Sequence, residues 1–175
     1  MSAIEAQYGP VSPANPVSLA AYLAMLNGSP VVGIKQVLRE EGSDLASLQS
    51  YRDAITELED VLPGQVNPDI IIPLRGDSLE LFQFLKTSNE KMSSIRYKSE
   101  RTSIVGVSAG TTPSDVAAYA QSLNSDRMRI VYPDIATVQL TDSTGVVSEF
   151  LVDGPMIAVA LAGSVVSPTY DVASP

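Results

Sequence analysis

Residues 69–132 spell one pattern twice over: a short apolar run, a capped helical stretch, then another apolar run. The three runs are 69–74 (DIIIPL), 102–108 (TSIVGVS) and 127–132 (RMRIVY). Apolar runs without polar alternation suit strands covered on both faces, as in a parallel sheet. Parallel neighbours need a long crossover, and a helix is the usual one. The stretch after 69–74 supplies such a helix, with Asp77 as the expected cap and Leu79, Phe82 and Leu85 on its apolar side. The stretch after 102–108 supplies the second. Thr112 stands at its cap, Pro113 at the first helical position and Asp115 at the third, where a carboxylate favours the helix dipole.

The flanks extend the same alternation. Residues 18–26 (SLAAYLAML) read as an apolar helix stopped by Asn27-Gly28, and 31–37 as a strand interrupted by Gly33. Residues 44–61 place Leu45, Leu48, Tyr51, Ile55 and Leu58 at the 3–4 spacing of an amphipathic helix, which Pro63-Gly64 ends. Residues 136–140 and 146–151 flank a Thr-Asp-Ser-Thr-Gly turn and read as a hairpin. Pro155 opens a last apolar helix over 156–165. Residues 1–17, with Pro10, Pro13 and Pro16, read as an extended lead-in. The expected fold is therefore α/β: a single domain over 18–175 with a mostly parallel sheet, helices on both faces, and a β-hairpin near the C-terminal part.

Composition removes whole classes of chemistry. The 175 residues include no cysteine and no histidine, so neither a disulfide framework nor a thiolate or imidazole metal site can be built. The net charge of −9 repels phosphate backbones, and direct nucleic-acid binding is not expected. Residues 1–16 have neither a basic start nor an apolar core, unlike a signal peptide. The longest apolar stretch, 156–166, is about half of the ~20 residues a spanning helix needs, so no membrane insertion is expected. Asn27-Gly28-Ser29 matches a glycosylation sequon but reads as a turn.

The most enzyme-like motif is Gly106-Val-Ser108-Ala-Gly110, a G-x-S-x-G at a strand end before a helix, where a nucleophile elbow belongs. A serine there needs a base to take its proton. There is no histidine, and no lysine is close to Ser108 in sequence. The glycines read more simply as permitting a tight β–α turn, and no catalytic residue is assigned. The carboxylates Asp134, Asp142 and Asp153 follow strands and could in principle hold Mg²⁺ or Ca²⁺, but their spacing matches no calcium loop. No metal site is assigned, and with neither G-x-G-x-x-G nor a P-loop no cofactor is expected. Residues 90–101 are the one basic-leaning stretch, carrying Lys91, Arg96, Lys98 and Arg101. They read as a solvated helix end and loop, or as a patch docking onto acidic faces of neighbouring copies.

Taken in order, the segments AAYLAMLNGS, PDIIIPL, RTSIVGVSAGTTPSD, NSDRMRIVYPD, DGPMIAVALAG and SPTYDVASP form a series. It resembles the central domain of contractile tail sheath proteins of myophage-type bacteriophages, over residues 20–175. That domain's fold is described as subtilisin-like without its catalysis. The resemblance implies a self-assembling virion subunit made in the host cytoplasm. Its partners would be other copies, in hexameric rings stacked helically, and a tail tube protein. The sheath would contract to drive that tube through the host envelope. Family members are longer, with a C-terminal domain beyond a region like SPTYDVASP, so the resemblance implies a fragment that reaches the tube through regions outside it. The homologous sheath of a bacterial contractile injection device or a phage-tail-like bacteriocin fits the same residues. A different class, a hydrolase-like or carboxylate-metal enzyme, is the competing reading.

Overall fold

The computed structural model describes residues 2–38, 46–60, 67–141 and 145–166. It is an α/β fold. Helices α1 (Ser2–Tyr8), α2 (Pro16–Leu26) and α3 (Leu48–Glu57) precede strand β1 (Ile70–Ile71). Then come α4 (Leu79–Met92), β2 (Thr102–Gly106), α5 (Pro113–Leu123) and β3 (Met128–Val131). The chain closes with the hairpin β4 (Ile135–Thr141) and β5 (Val147–Asp153) and helix α6 (Gly154–Val165).

The three apolar runs do form one parallel sheet, ordered β1-β2-β3, with Ile70 opposite Thr102 and Ser103 opposite Met128. Two successive right-handed crossovers in one direction leave their helices on one face. Side chains alternate along β2 accordingly. Val105 joins Phe82, Leu81 and Leu85 of α4, Leu123 of α5 and Ile55 of α3, while Ile104 turns the other way to Ala158 and Ala162 of α6. Helix α6 in turn carries α2 and the inner face of the hairpin, through Leu19, Leu23, Met156, Val159, Leu140 and Val152. Helices thus cover both faces. The hairpin forms its own two-stranded antiparallel sheet beside the parallel one.

Glycine makes this layering possible, because three segments meet backbone to backbone. A Cβ on Gly76 would lie 2.5 Å from Gly106 O and 2.7 Å from Ser108 N. A Cβ on Gly106 would collide with the backbone of Gly154 and Pro155, and one on Gly154 with Val107. The end of β2 is thereby pressed between the loop after β1 and the first turn of α6. Gly163 repeats the device one layer out, against Ala24 O of α2.

Several expectations change at the level of local structure. The lead-in is not extended throughout: residues 2–8 are helical, since Ala3, Glu5, Ala6 and Gln7 favour helix and Ile4 is buried. The polar clasp at Asn15 then secures the turn that follows. Asn15 Nδ2 donates to Tyr8 O at 2.7 Å, and Ser18 Oγ donates to Gly9 O at 2.8 Å. Residues 31–37 are not a strand. Among the described residues no strand lies beside them for their β-rich composition to pair with, and Val31 is exposed. Ser78, not Asp77, caps α4, accepting from Leu81 N at 3.2 Å. The amphipathic helix is seen over Leu48–Glu57, capped by Ser47, and is shorter than the expected 44–61 span: residues 46, 47 and 58–60 are not helical, and 44, 45 and 61 lie outside the described residues. Thr112 caps α5 as expected, and Asp115 adds a capping box by accepting from Thr112 N at 3.3 Å.

Replacing Gly106 by alanine should therefore remove cooperative folding or lower stability by ~3 kcal/mol or more, because backbone cannot yield as a side chain does. Gly110→Ala, at φ +88 but with open space around it, should cost only about 1 kcal/mol. Urea denaturation of the two variants checks the ranking.

Candidate functional site

In parallel α/β sheets, ligands collect where strands end at their carboxyl edge. Here that edge is lined by the loop after β1 (Gly76, Asp77), the turn after β2 (Ser108 to Gly110), Asp134 after β3, and Asp153 at the start of α6.

Ser108 stands where the motif predicts, just past the last paired residue of β2 and before α5. Its backbone N–H donates to Gly76 O at 3.1 Å. Its carbonyl accepts from Thr111 Oγ1 at 2.7 Å and from Thr111 N at 3.2 Å. Gly110 takes φ +88, a left-handed value that glycine adopts without penalty. Its N–H donates to Asp134 Oδ2 at 2.7 Å. The G-x-S-x-G segment is therefore a hydrogen-bonded turn, braced by Asp134 from the end of the next strand.

The other half of a catalytic serine site would be a base. The four lysines are engaged or placed elsewhere. Lys35 pairs with Glu57, Lys86 with Glu90 at 3.8 Å, and Lys91 with Glu59. Lys98 sits in the turn that precedes β2, at the opposite end of that strand from Ser108. Of the carboxylates at the edge, Asp77 and Asp134 are likewise committed. Arg75 donates to Asp77 through Nε at 2.5 Å and Nη2 at 3.0 Å, and reaches back through Nη1 to Ala46 O at 2.6 Å. This fork holds the Asp77 carboxyl below its ordinary pKa, with the hydrogen bonds from Arg75 as the main cause. Burial does the reverse at Asp153 and raises its pKa.

The structure also decides which expected candidates come together. Asp134 and the Ser108 turn do, through Gly110. Asp153 caps α6 by position but makes no side-chain capping bond. Asp142 lies outside the described residues. Among the described residues no three carboxylates gather in a way that could hold a metal ion, and no helix is long and apolar enough to cross a membrane.

The basic stretch needs one correction. Arg101 cannot belong to a docking patch, because it is 1 % exposed. Its Nη2 donates to Leu58 O at 2.6 Å, while Nε and Nη1 have no partner among the described residues. Nearby, Glu59 accepts from Ser88 Oγ at 2.6 Å and pairs with Lys91, knitting the end of α3 to α4. Arg96 and Lys98 remain on the surface. Sequence reasoning gave all four cations the same weight. Arg101 immediately precedes β2, and that position was the available sign of its burial.

Two outcomes test this account. Asp134→Ala should weaken the β2–α5 turn by about 1 kcal/mol, as for loss of a hydrogen bond to a charged acceptor, while Ser108→Ala should stay within about 0.5 kcal/mol of the parent. Thermal melts compare them. The Arg75–Asp77 fork should show in acid. A lowered folded-state pKa means the pair stabilises the fold above the unfolded value near 3.8 and loses that contribution as pH falls through the folded value. Asp77→Asn should accordingly be less stable than the parent at neutral pH, with the gap closing below 3.8 in pH-resolved urea titrations.

No family model and no curated protein matches this chain.

Proposed function

We propose that this chain is a structural subunit of a contractile phage tail sheath, assembling with copies of itself around a tail tube and contracting to drive the tube through a host envelope. One observation carries the reading. The chain keeps the outline of a hydrolase elbow at Ser108, in a histidine-free sequence in which Lys35, Lys86 and Lys91 are ion-paired and Lys98 lies at the far end of β2. The neighbouring carboxylate, Asp134, braces backbone instead of facing a nucleophile. An enzyme-like scaffold used for packing is what the likeness to sheath domains implies, and the α/β order of elements is compatible with it. Fold alone does not carry function, so the ordered sequence series from AAYLAMLNGS to DGPMIAVALAG remains the specific support.

The mechanics are also consistent. A sheath subunit must stay rigid while it exchanges one set of neighbours for another. The glycine-packed layers supply rigidity. The surface mixes ion pairs such as Arg52–Glu80 and Arg127–Glu100 with scattered apolar residues, unlike a large permanent apolar interface. The sheath of a bacterial injection device would use the same physics and is the same proposal in another host.

Negative-stain microscopy of the full-length protein tests the reading. Tubes or stacked rings of uniform diameter are the expected result, and dispersed particles under all conditions would overturn it. An ester and phosphoester screen, with and without Mg²⁺, addresses the enzyme alternative. Turnover abolished by Ser108→Ala would replace the structural reading with a catalytic one.

A further inference from the structure

Asn27 and Gly28 close α2, and the pair carries a chemistry of its own. An asparagine followed by glycine can lose its side-chain amide without an enzyme. The Gly28 nitrogen bonds to Asn27 Cγ, the Cγ–Nδ2 bond breaks, and ammonia leaves with the proton of the Gly28 amide. Water then opens the cyclic imide at either ring carbonyl, leaving aspartate or isoaspartate. Glycine is the most permissive successor, because it has no Cβ to crowd the attacking nitrogen. Water is the one other reactant.

The fold holds the reacting atoms apart. Asn27 has ψ 8, which nearly eclipses the Gly28 nitrogen with the Asn27 nitrogen and turns it away from the side chain. Gly28 N also donates to Met25 O at 3.1 Å, while Asn27 Nδ2 donates to Leu23 O at 2.8 Å. Cyclisation has to break both bonds and rotate ψ. These bonds belong to the last turn of a helix, the part that frays first. Helix α6 lies directly on that turn. A Cβ on Gly163 would stand 2.3 Å from Ala24 O and 3.0 Å from Asn27 Cβ. Ser164 Oγ shares its proton between Asn27 Oδ1 at 3.4 Å and Ala160 O at 3.3 Å. Met156 and Val159 continue the contact against Leu19 and Leu23. The Asn27 side chain is thus clamped from outside its own helix.

We propose that Asn27 is a deamidation site gated by α6. With α6 seated on α2 the residue stays asparagine, and when the end of α6 lifts away it converts. Conversion also makes return harder. A carboxylate has no proton to give Leu23 O, and it sets negative charge at a helix C-terminus, where the dipole disfavours it. The site therefore keeps a chemical record of past openings between α2 and α6, and it does so whether or not the chain assembles.

Incubation of the purified protein at mildly alkaline pH, with peptide mass spectrometry at residue 27, tests the gate. Asn27 in the parent should convert about tenfold more slowly, or slower still, than in a synthetic peptide of residues 23–31, because a closed site reacts only through its open fraction. Gly163→Ala wedges α6 off α2 and should raise the parent rate about tenfold. Val159→Ala thins the same contact and takes its place where Gly163→Ala does not fold. Leu85→Ala, in the layer on the other face of the sheet, separates local from global opening. Compared in urea at equal folded fraction, the α6 variants should convert Asn27 several times faster than Leu85→Ala. Equal rates would show that global unfolding alone exposes the site, and a parent rate matching the peptide would show that nothing holds it shut. Either result overturns the gate. Asn27→Asp should melt below the parent, and a melt at or above it would overturn the lasting effect of conversion.

Discussion

The rest of the structure depends on a steric constraint: the end of β2 must touch the chain on both sides with nothing between. Gly76, Gly106 and Gly154 have no side chain at the points where a single carbon would collide with backbone. Close approach of this kind lets α6 lie against Ile104 and Val131 on one face while α4 and α5 hold Val105 on the other. It also sets the Ser108 turn, whose N–H reaches Gly76 O. The feature that looks catalytic in sequence is then a by-product of packing. Glycine on either side of Ser108 serves close approach and a left-handed turn, and neither use requires a reactive hydroxyl.

Much of this was legible from residue order. The three apolar runs, the Thr112 cap, the Asn27-Gly28 stop and the hairpin all follow from local rules, and each is found where those rules put it. What was not legible depends on tertiary partners. Residues 31–37 have strand composition but no strand beside them among the described residues, and no local property of Val31, Val32 and Ile34 reveals that. Asp77 and Ser78 are both good caps; Arg75 decides between them by claiming the aspartate. The first helix was hidden because Pro10, Pro13 and Pro16 dominate the reading of a segment whose first residues favour helix. At the candidate site, the elbow position of Ser108 was readable, while the bracing of Gly110 by Asp134 required β3 to be placed beside β2.

Charge shows the same division. Lys91, Arg96, Lys98 and Arg101 form one basic stretch in sequence but play three different parts in space. Lys91 closes an ion pair with Glu59, Arg101 is buried against Leu58 O, and Arg96 and Lys98 face solvent. A buried guanidinium with two nitrogens lacking partners among the described residues is costly to desolvate. Its bond to Leu58 O ties the strand layer to the end of α3, adding a polar long-range link to the apolar packing of Leu48, Tyr51 and Ile55.

The hairpin joins the body in an unusual way, since β5 runs into α6 with no intervening residue. Its inner side chains rest on α2 and α6, and it shares no ladder with the parallel sheet. Among the described residues no backbone ladder carries a force from this ribbon into β1, β2 or β3. Besides the short link 132–134 to β3, such a force travels as a push or twist along α6 and enters the sheet where that helix meets β2. The ribbon and helix together therefore behave as a crank whose bearing is the glycine seam.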